Sequence, residues 1–435
     1  MYQILVKSRS DAGAVESMVE HFYREWPITI NTLKGGRTSR LEHILEDLLK
    51  DTCYNFILLG RRDRETYEFV KDVDRFNNVV YLINRSRVRN TRIEHLAWFF
   101  EKARSLQRLR ISCLDGEIVL GRTAKLLIPD PEPYMDLFIL YVAKSVSKKI
   151  GLGEGAYLAL RMLGGKHLII DASGVKGILS VPDNIGSPKY SGENPSPIDP
   201  HDLVRNNIEY LEKEENIVVS FLEKFSNDYE RVIVPVSGGK DSATALYLAK
   251  KVYKGRVEGV FVDIDVDMPV NKEFIEVLGE KLGVYIHRVK LSLKEHLGEK
   301  GFPTTNNRWC TALKISALEK KYADLCRGSR CLIVVGDRDV ESEARSRRPP
   351  VIVTEKYTRI APLKQWSTLT LQLYMLYRNI PLNPLYGEGF YRLGCYICPS
   401  LRGWEHLIIH NSPMLRSIRN DPVYAEYREF LENRV

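Results

Sequence analysis

The sequence predicts an α/β protein: a mainly parallel, doubly wound sheet in the C-terminal half, with smaller α/β and α+β domains ahead of it. Three observations predict it. A β-branched strand at residues 231–236 runs straight into the turn Ser237-Gly238-Gly239-Lys240-Asp241-Ser242 and then into a helical segment. Short apolar runs alternate with helical patterns on both sides of that turn, as in βαβ units. The chain has 435 residues, too many for one ordinary core, and a proline-rich stretch divides it.

The elements follow in order. Residues 1–115 read as an α/β domain: a strand at 4–6, helical spacing at 41–49, and buried strands at 55–60 and 79–83. Arg61, Arg62, Arg64, Arg85, Arg87, Arg89 and Arg92 follow the ends of those strands. They read first as solvated loop charge, with a phosphate-facing patch as the alternative. Residues 116–181 read as a small α+β unit, with a helix across 134–149 and a strand at 167–171. Its glycines, Gly151, Gly153, Gly155, Gly174 and Gly177, mark turns, and their pattern faintly resembles a PUA-type RNA-binding domain. Residues 182–200 hold five prolines among Gly, Ser and Asn and read as a stiff linker. Residues 201–435 form the third and largest domain, opening with a helix at 202–225.

Composition narrows the function classes. The apolar fraction is 44% and the charged fraction 28%, as in a globular protein. No run of about 18 apolar residues predicts a membrane span, and the strand-like N-terminus lacks the features of a signal peptide. The expected location is the cytoplasm. A net charge of +8 admits an anionic partner such as RNA without demanding one. Seven cysteines, an odd number, argue against a disulfide framework.

The turn at 237–242 carries the chemistry. A helix N-terminus offers unpaired N–H groups and the positive end of a dipole. Gly238 and Gly239 let the backbone approach an anion closely. Ser237 and Ser242 can donate to phosphate oxygens, Lys240 can neutralise phosphate charge, and Asp241 can hold a metal or cap the helix. The spacing is not that of a Walker loop. The next strand, 257–265, ends in Asp263 and Asp265, either of which suits ribose or a metal, or is a solvated strand-end charge.

The hexapeptide resembles the PP-loop of the adenine-nucleotide α-hydrolase superfamily. Three further pieces narrow the likeness: Asn307-Arg308-Trp309-Cys310-Thr311-Ala312-Leu313-Lys314, Gly336-Asp337-Arg338 through Arg345, and Asn383-Pro384-Leu385-Tyr386 with Gly394-Cys395-Tyr396-Ile397-Cys398-Pro399. Together they resemble the phosphoadenosine phosphosulfate reductase family over residues 228–404. The resemblance implies a five-stranded, mainly parallel sheet with an adenine nucleotide at the PP-loop. It implies that Lys314, Gly336, Arg338 and Arg345 line the anion side of the pocket. Lys240, Asp241 and Arg338 are then the expected catalytic groups, with ATP or another adenine nucleotide and Mg²⁺ as cofactors.

One departure separates this chain from the reductases. The family members that reduce phosphoadenosine phosphosulfate carry a nucleophilic cysteine in a C-terminal Glu-Cys-Gly-Leu-His stretch. This chain ends Arg428-Glu429-Phe430-Leu431-Glu432-Asn433-Arg434-Val435. The Arg-Trp-Cys-Thr piece is more similar to members that modify nucleic acids with sulfur, and these can hold a four-iron cluster. By that likeness Cys310, Cys395 and Cys398 are the metal ligands, with Cys326 as a fourth candidate and zinc as the alternative metal. The expected activity is ATP-dependent activation and sulfur transfer, with tRNA as a candidate acceptor and a separate sulfur donor. The alternatives are a reductase of phosphoadenosine phosphosulfate or adenosine phosphosulfate served by a thioredoxin-like reductant, and a non-catalytic nucleotide- or RNA-binding module.

Overall fold

The computed structural model describes residues 1–35, 38–183 and 185–433. The final two residues of the C-terminal stretch, Arg434 and Val435, lie outside them. Three sheets and a small hairpin organise the chain.

The first sheet is wholly parallel, in the order β2-β1-β3-β4, from β1 (Tyr2–Val6), β2 (Ile28–Thr32), β3 (Tyr54–Leu59) and β4 (Asn78–Leu82). Every residue of β1 and β3 is buried, because helices cover both faces of a parallel sheet. Six of the seven N-terminal arginines, all but Arg87, are exposed, just beyond β3 and β4. A hairpin of β5 (Ile111–Leu114) and β6 (Glu117–Leu120) follows.

The second sheet is an antiparallel meander of β7 (Asp136–Val142), β8 (Gly155–Arg161), β9 (Lys166–Asp171), β10 (Gly174–Ser180) and β11 (Lys189–Gly192). Two local expectations change here. The segment expected to be a helix at 134–149 is mostly strand β7, with a helix only at Lys144–Ile150. Leu137 to Leu140 are all buried, so an unbroken apolar run conceals the period that tells strand from helix. The proline-rich stretch contains β11, whose four residues include no proline; Pro188 stands just outside the strand, where no ladder hydrogen bond is lost.

The helix expected at 202–225 is broken into Pro200–Arg205 and Ile208–Glu223. At the break the Asn207 carboxamide accepts from Leu120 N–H and donates to the Ile118 and Leu203 carbonyls, which pins this joint to the β5–β6 hairpin.

The third sheet has six strands rather than five, in the order β14-β13-β12-β15-β17-β16. They are β12 (Arg231–Pro235), β13 (Val257–Ile264), β14 (Ile286–Leu291), β15 (Cys331–Val334), β16 (Val351–Val353) and β17 (Thr358–Ile360). All pairs are parallel except β16 with β17. The α/β fold class read from the sequence holds. The chain leaves β12 toward β13 on one side and later returns to β15 on the other. The carboxyl ends of β12 and β15 therefore flank a topological switch point, where open α/β sheets bind ligands.

One hydrophobic cluster runs from the first sheet to the third, joining Tyr2, Phe56 and Phe100 to Val234, Leu246 and Tyr374. Polar contacts fix the relative placement within this apolar seam. Glu214 accepts from Tyr54 and Gln107 at 2.6 and 2.7 Å, and burial pushes its carboxyl up to about 7. Gln372, on the Thr368–Tyr377 helix, pairs both backbone groups of Ile139 and so occupies the free edge of β7. Arg104 is fully buried among Tyr2, Trp26 and Phe100, and forms ion pairs with Glu101 and, across the seam, with Asp339. Lys364 supplies the second cation on Asp339, at 2.6 Å.

Arg104→Met keeps most of the volume but leaves Asp339 with a single partner. The expected cost is about 3 kcal/mol, read as a lower thermal unfolding midpoint. A midpoint equal to that of the unaltered protein would show that the seam does not depend on this pair.

Candidate active site

The loop at 237–242 is closed on itself and held from outside. The Ser242 hydroxyl donates to the Gly239 carbonyl at 3.0 Å and accepts from Ser237 N–H at 3.1 Å. Asn271 donates to the Ser237 carbonyl and Asn383 to that of Gly238, at 3.0 and 3.3 Å. Gly238 has a φ of +75°, and a Cβ there would lie 1.7 Å from Asn271 Oδ1. Only glycine fits. Across the crevice, a Cβ on Gly336 would lie 2.7 Å from the Asp241 backbone, so the turn after β15 packs directly on the loop.

Asp241, in the first turn of the Lys240–Tyr253 helix, faces two cations. Arg338 Nε donates to its carboxylate, and Lys240 Nζ lies 3.2 Å away. Burial alone would raise the Asp241 carboxyl, but Arg338 and Lys240 outweigh it and hold it well below the usual carboxylate range. Arg338 is itself buried and also contacts Asp136 of β7 at 3.6 Å. Its remaining donors go to Thr368 Oγ1 and the Trp366 carbonyl. Asp136 in turn accepts from Thr368 N–H, Thr368 Oγ1 and the Tyr391 hydroxyl, at 2.9, 2.6 and 2.6 Å. Lys240 is buried, donates to the Tyr391 carbonyl at 3.1 Å and sits over the rings of Tyr386 and Tyr391. Burial pushes its ammonium down.

These groups wall a cavity of about 600 Å³. Its lining contains seven cations, Arg161, Lys240, Arg308, Arg338, Arg345, Arg348 and Arg392, against three carboxylates, Asp241, Asp337 and Glu341. Arg345 is tied to Asp337 and Glu341, and Arg348 to Asp337. Arg161, Arg308 and Arg392 have no carboxylate partner among the described residues. The paired cations therefore build the wall, and the unpaired ones leave net positive charge facing the cavity, suited to a polyanion.

A second space, a slot of about 230 Å³, shares Pro235, Ser237 and Leu393 with the cavity. It is lined by Val260, Phe261 and Val262 of β13 and by Asp267, Asn271, Lys314 and Cys395. Apolar walls with a polar end suit a flat ring.

Of the expected nucleotide-binding residues, Ser237, Gly239, Lys240, Asp241, Ser242, Gly336, Arg338 and Arg345 line the cavity, with Gly238 behind the loop. Three are placed differently. Lys314 lines the slot instead of the anion side. Asp263 is tied to Lys272 at 2.8 Å, and Asp265 accepts from Ser292 and the Leu293 and Lys294 N–H groups. Neither lines the cavity or the slot; Asp267, two residues further on, does. The sequence reading also missed Asn271, Tyr391 and Asp136. Their signal is a partner far along the chain, which no local pattern carries.

Cys310, Cys395 and Cys398 come together around Lys314: burial opposes its charge, but the electrostatic interaction with these thiols and Asp267 outweighs it and holds the ammonium up. The Cys395–Cys398 hydrogen bond pushes the Cys395 thiol up and the Cys398 thiol down. Cys326 is bonded to Cys331 as a disulfide and is not a fourth ligand. Among the described residues, no group of three or more His, Cys, Asp or Glu side chains is arranged to hold a metal ion. The thiols as placed do not fit a cluster or zinc, and the cavity's carboxylates, each engaged by an arginine, offer no free set for Mg²⁺. No helix among the described residues is long and apolar enough to cross a membrane.

Two outcomes follow. Gly238→Ala should displace Asn271 and weaken binding of inorganic pyrophosphate by about tenfold or more, consistent with about 1–3 kcal/mol of strain; titration calorimetry showing undiminished affinity would exclude this loop as the anion site. His167, in β9, is held at about 4 by burial and by nearby Arg161 and Arg402. Unfolded, it titrates near 6.5. Its contribution to stability is therefore full above pH about 6.5 and is lost as pH falls toward about 4, on the order of 3 kcal/mol. His167→Leu should flatten that part of the stability–pH curve, and an equally steep curve would contradict the assignment.

Residues 231–401 match the model of the phosphoadenosine phosphosulfate reductase domain. An uncharacterized protein of Methanocaldococcus jannaschii is 30% identical over 47% of this chain and 43% of its own. The chain spans about half the length of this and a second relative from the same organism. An adenosine 5'-phosphosulfate reductase of Bacillus mycoides is 25% identical over 44% of this chain and 84% of its own. A solved phosphoadenylyl-sulfate reductase from Candida auris, in complex with phosphate, aligns with a TM-score of 0.34 at 17% identity, over 44% of this chain and 96% of that one. Residues 231–401, less than half of the chain, thus form a domain matching the phosphoadenosine phosphosulfate reductase domain.

Proposed function

We propose that the protein binds ATP, with adenine in the slot beside β13 and the phosphates at the loop, and activates an acceptor at the α-phosphate for sulfur transfer. The reading rests on one observation. The loop and its cavity are complete and strongly cationic, yet no cysteine lines the cavity among the described residues. A thiol-based reductase needs a thiolate placed to attack the sulfur of a sulfonucleotide. The C-terminal helix Pro422–Glu432 packs Tyr424 and Tyr427 into the core.

The chemistry assigned to these residues is electrostatic. An acceptor oxygen attacks the α-phosphorus; its bond to phosphorus forms as the bond to the pyrophosphate bridge breaks, and pyrophosphate leaves. Lys240, Arg345 and the loop N–H groups stabilise the charge that develops on the phosphate oxygens. Arg338 does not reach for substrate: it orients Asp241 and, through it, Lys240. The terminal sulfur of a persulfide, carried on one thiol of the Cys395 and Cys398 pair after transfer from a separate persulfide donor, then attacks the activated carbon, and the oxygen departs with AMP. The other thiol of this hydrogen-bonded pair, beside Lys314, attacks the cysteine sulfur of the resulting disulfide, which releases the thiolated acceptor and leaves a Cys395–Cys398 disulfide for an external dithiol reductant to reduce. A nucleic acid such as tRNA is the acceptor that best matches the cationic surface.

Bulk tRNA added with ATP should release pyrophosphate, and Lys240→Ala should reduce that release by about 100-fold or more, the scale for loss of one preorganised charge contact. Release of sulfite from adenosine phosphosulfate or phosphoadenosine phosphosulfate with thioredoxin, and no pyrophosphate from ATP, would assign the reductase activity instead. RNA binding without turnover would leave a binding module.

A further inference from the structure

A third cavity opens off the anion cavity, and both halves of the chain build it. The two share Arg161, Glu341, Tyr391 and Arg392. The meander contributes Phe138, His167 and Leu179, followed by Val181, while Tyr391 and Trp404 close it from the nucleotide-binding half. Its volume is about 150 Å³, a size that accepts one six-membered aromatic ring. The walls are aromatic edges: Phe138 meets Tyr391 at 4.7 Å and 65°, and His167 at 5.8 Å and 82°.

The interior is not merely apolar filler. His167 is 92% buried, and its Nδ1 has no hydrogen-bond partner. A buried polar atom without a partner is costly unless a ligand completes it. Burial and the nearby arginines keep this imidazole neutral, so it offers a hydrogen bond rather than a charge. Arg392, exposed, and Arg402, half-exposed and 3.4 Å from Asp183, stand at the lining, which also holds Glu341 and the buried Glu405. A ring-sized aromatic interior with one unsatisfied polar atom and a cationic mouth matches a base whose sugar and phosphate stay outside.

We infer that this cavity takes the acceptor as a single-ring nucleobase, flipped in against the wall of Phe138, Tyr391 and Trp404 with its polar edge toward His167. Arg161 and Tyr391 line both cavities, so an exocyclic oxygen of the base is within reach of the anion cavity, where the proposed α-phosphate transfer occurs. The inference rests on the proposed function for the reaction, but not for binding. The same base chemistry is available from a free pyrimidine nucleoside or from an RNA strand, and the mouth arginines favour the strand.

The test uses the full chain and two sets of probes, bulk tRNA and a mixture of cytidine and uridine. Ultraviolet crosslinking followed by peptide mass spectrometry should place the pyrimidine on Phe138, Tyr391 or Trp404; the probe that crosslinks identifies the source. Crosslinks found only elsewhere, or none with either probe, would overturn the inference. Val181→Trp, which fills the cavity, and His167→Leu should retain ATP binding while losing about 100-fold in acceptor-stimulated pyrophosphate release. Unaltered release in both variants would overturn the inference and leave the proposed function intact. Crosslinks in the cavity without pyrophosphate release from the unaltered protein would sink the proposed function and leave the base pocket standing.

Discussion

The site depends on one buried guanidinium. Arg338 lies between Asp241 of the loop and Asp136 of the antiparallel sheet, and Thr368 ties it to the helix that borders both. A buried cation without partners would be prohibitively costly, so its two carboxylates must be in place for the core to close. Each carboxylate belongs to a different part of the chain. The relative position of the loop and the antiparallel sheet is therefore set by the same charge balance that orients Lys240. Beyond it, Arg104 and Lys364 repeat the arrangement around Asp339, next in sequence to Arg338, and carry the network to the first sheet.

This arrangement explains why the residues ahead of the family domain are more than an attachment. Asp136 enters the site directly, Arg161 lines the anion cavity, and the meander walls the ring-sized cavity beside it. Apolar packing supplies the bulk of the cohesion, through a core that runs without interruption from Tyr2 to Tyr374. The polar contacts at Glu214 and Gln372 add direction to that packing, because their hydrogen bonds join residues far apart in the chain.

The parts of the fold legible in the sequence are those whose cause is local. The β12 strand, the glycine turn and the helix that follows lie next to one another in the chain, and the conformations Gly238 requires are written in the residue itself. The family likeness of residues 231–401 was readable for the same reason. What was not legible has a distant cause. Asp263 and Asp265 look alike beside Asp267 until the positions of Lys272 and the 292–294 backbone are known. The run around Leu137 to Leu140 shows no period because both its faces are covered. Asp136 has no sequence signal at all, since its partners lie more than 200 residues away.

The central claim is that the antiparallel sheet is part of the site proposed to bind the nucleotide, through Asp136 and Arg338. The most direct test is the affinity of the full chain for ATP with Asp136→Asn, a change outside the family domain that preserves shape and removes one charge. With Arg338 left one carboxylate short, the geometry of Asp241 and Lys240 should loosen and the ATP dissociation constant should rise by about tenfold or more. An unchanged ATP affinity in a folded Asp136→Asn protein would contradict the claim.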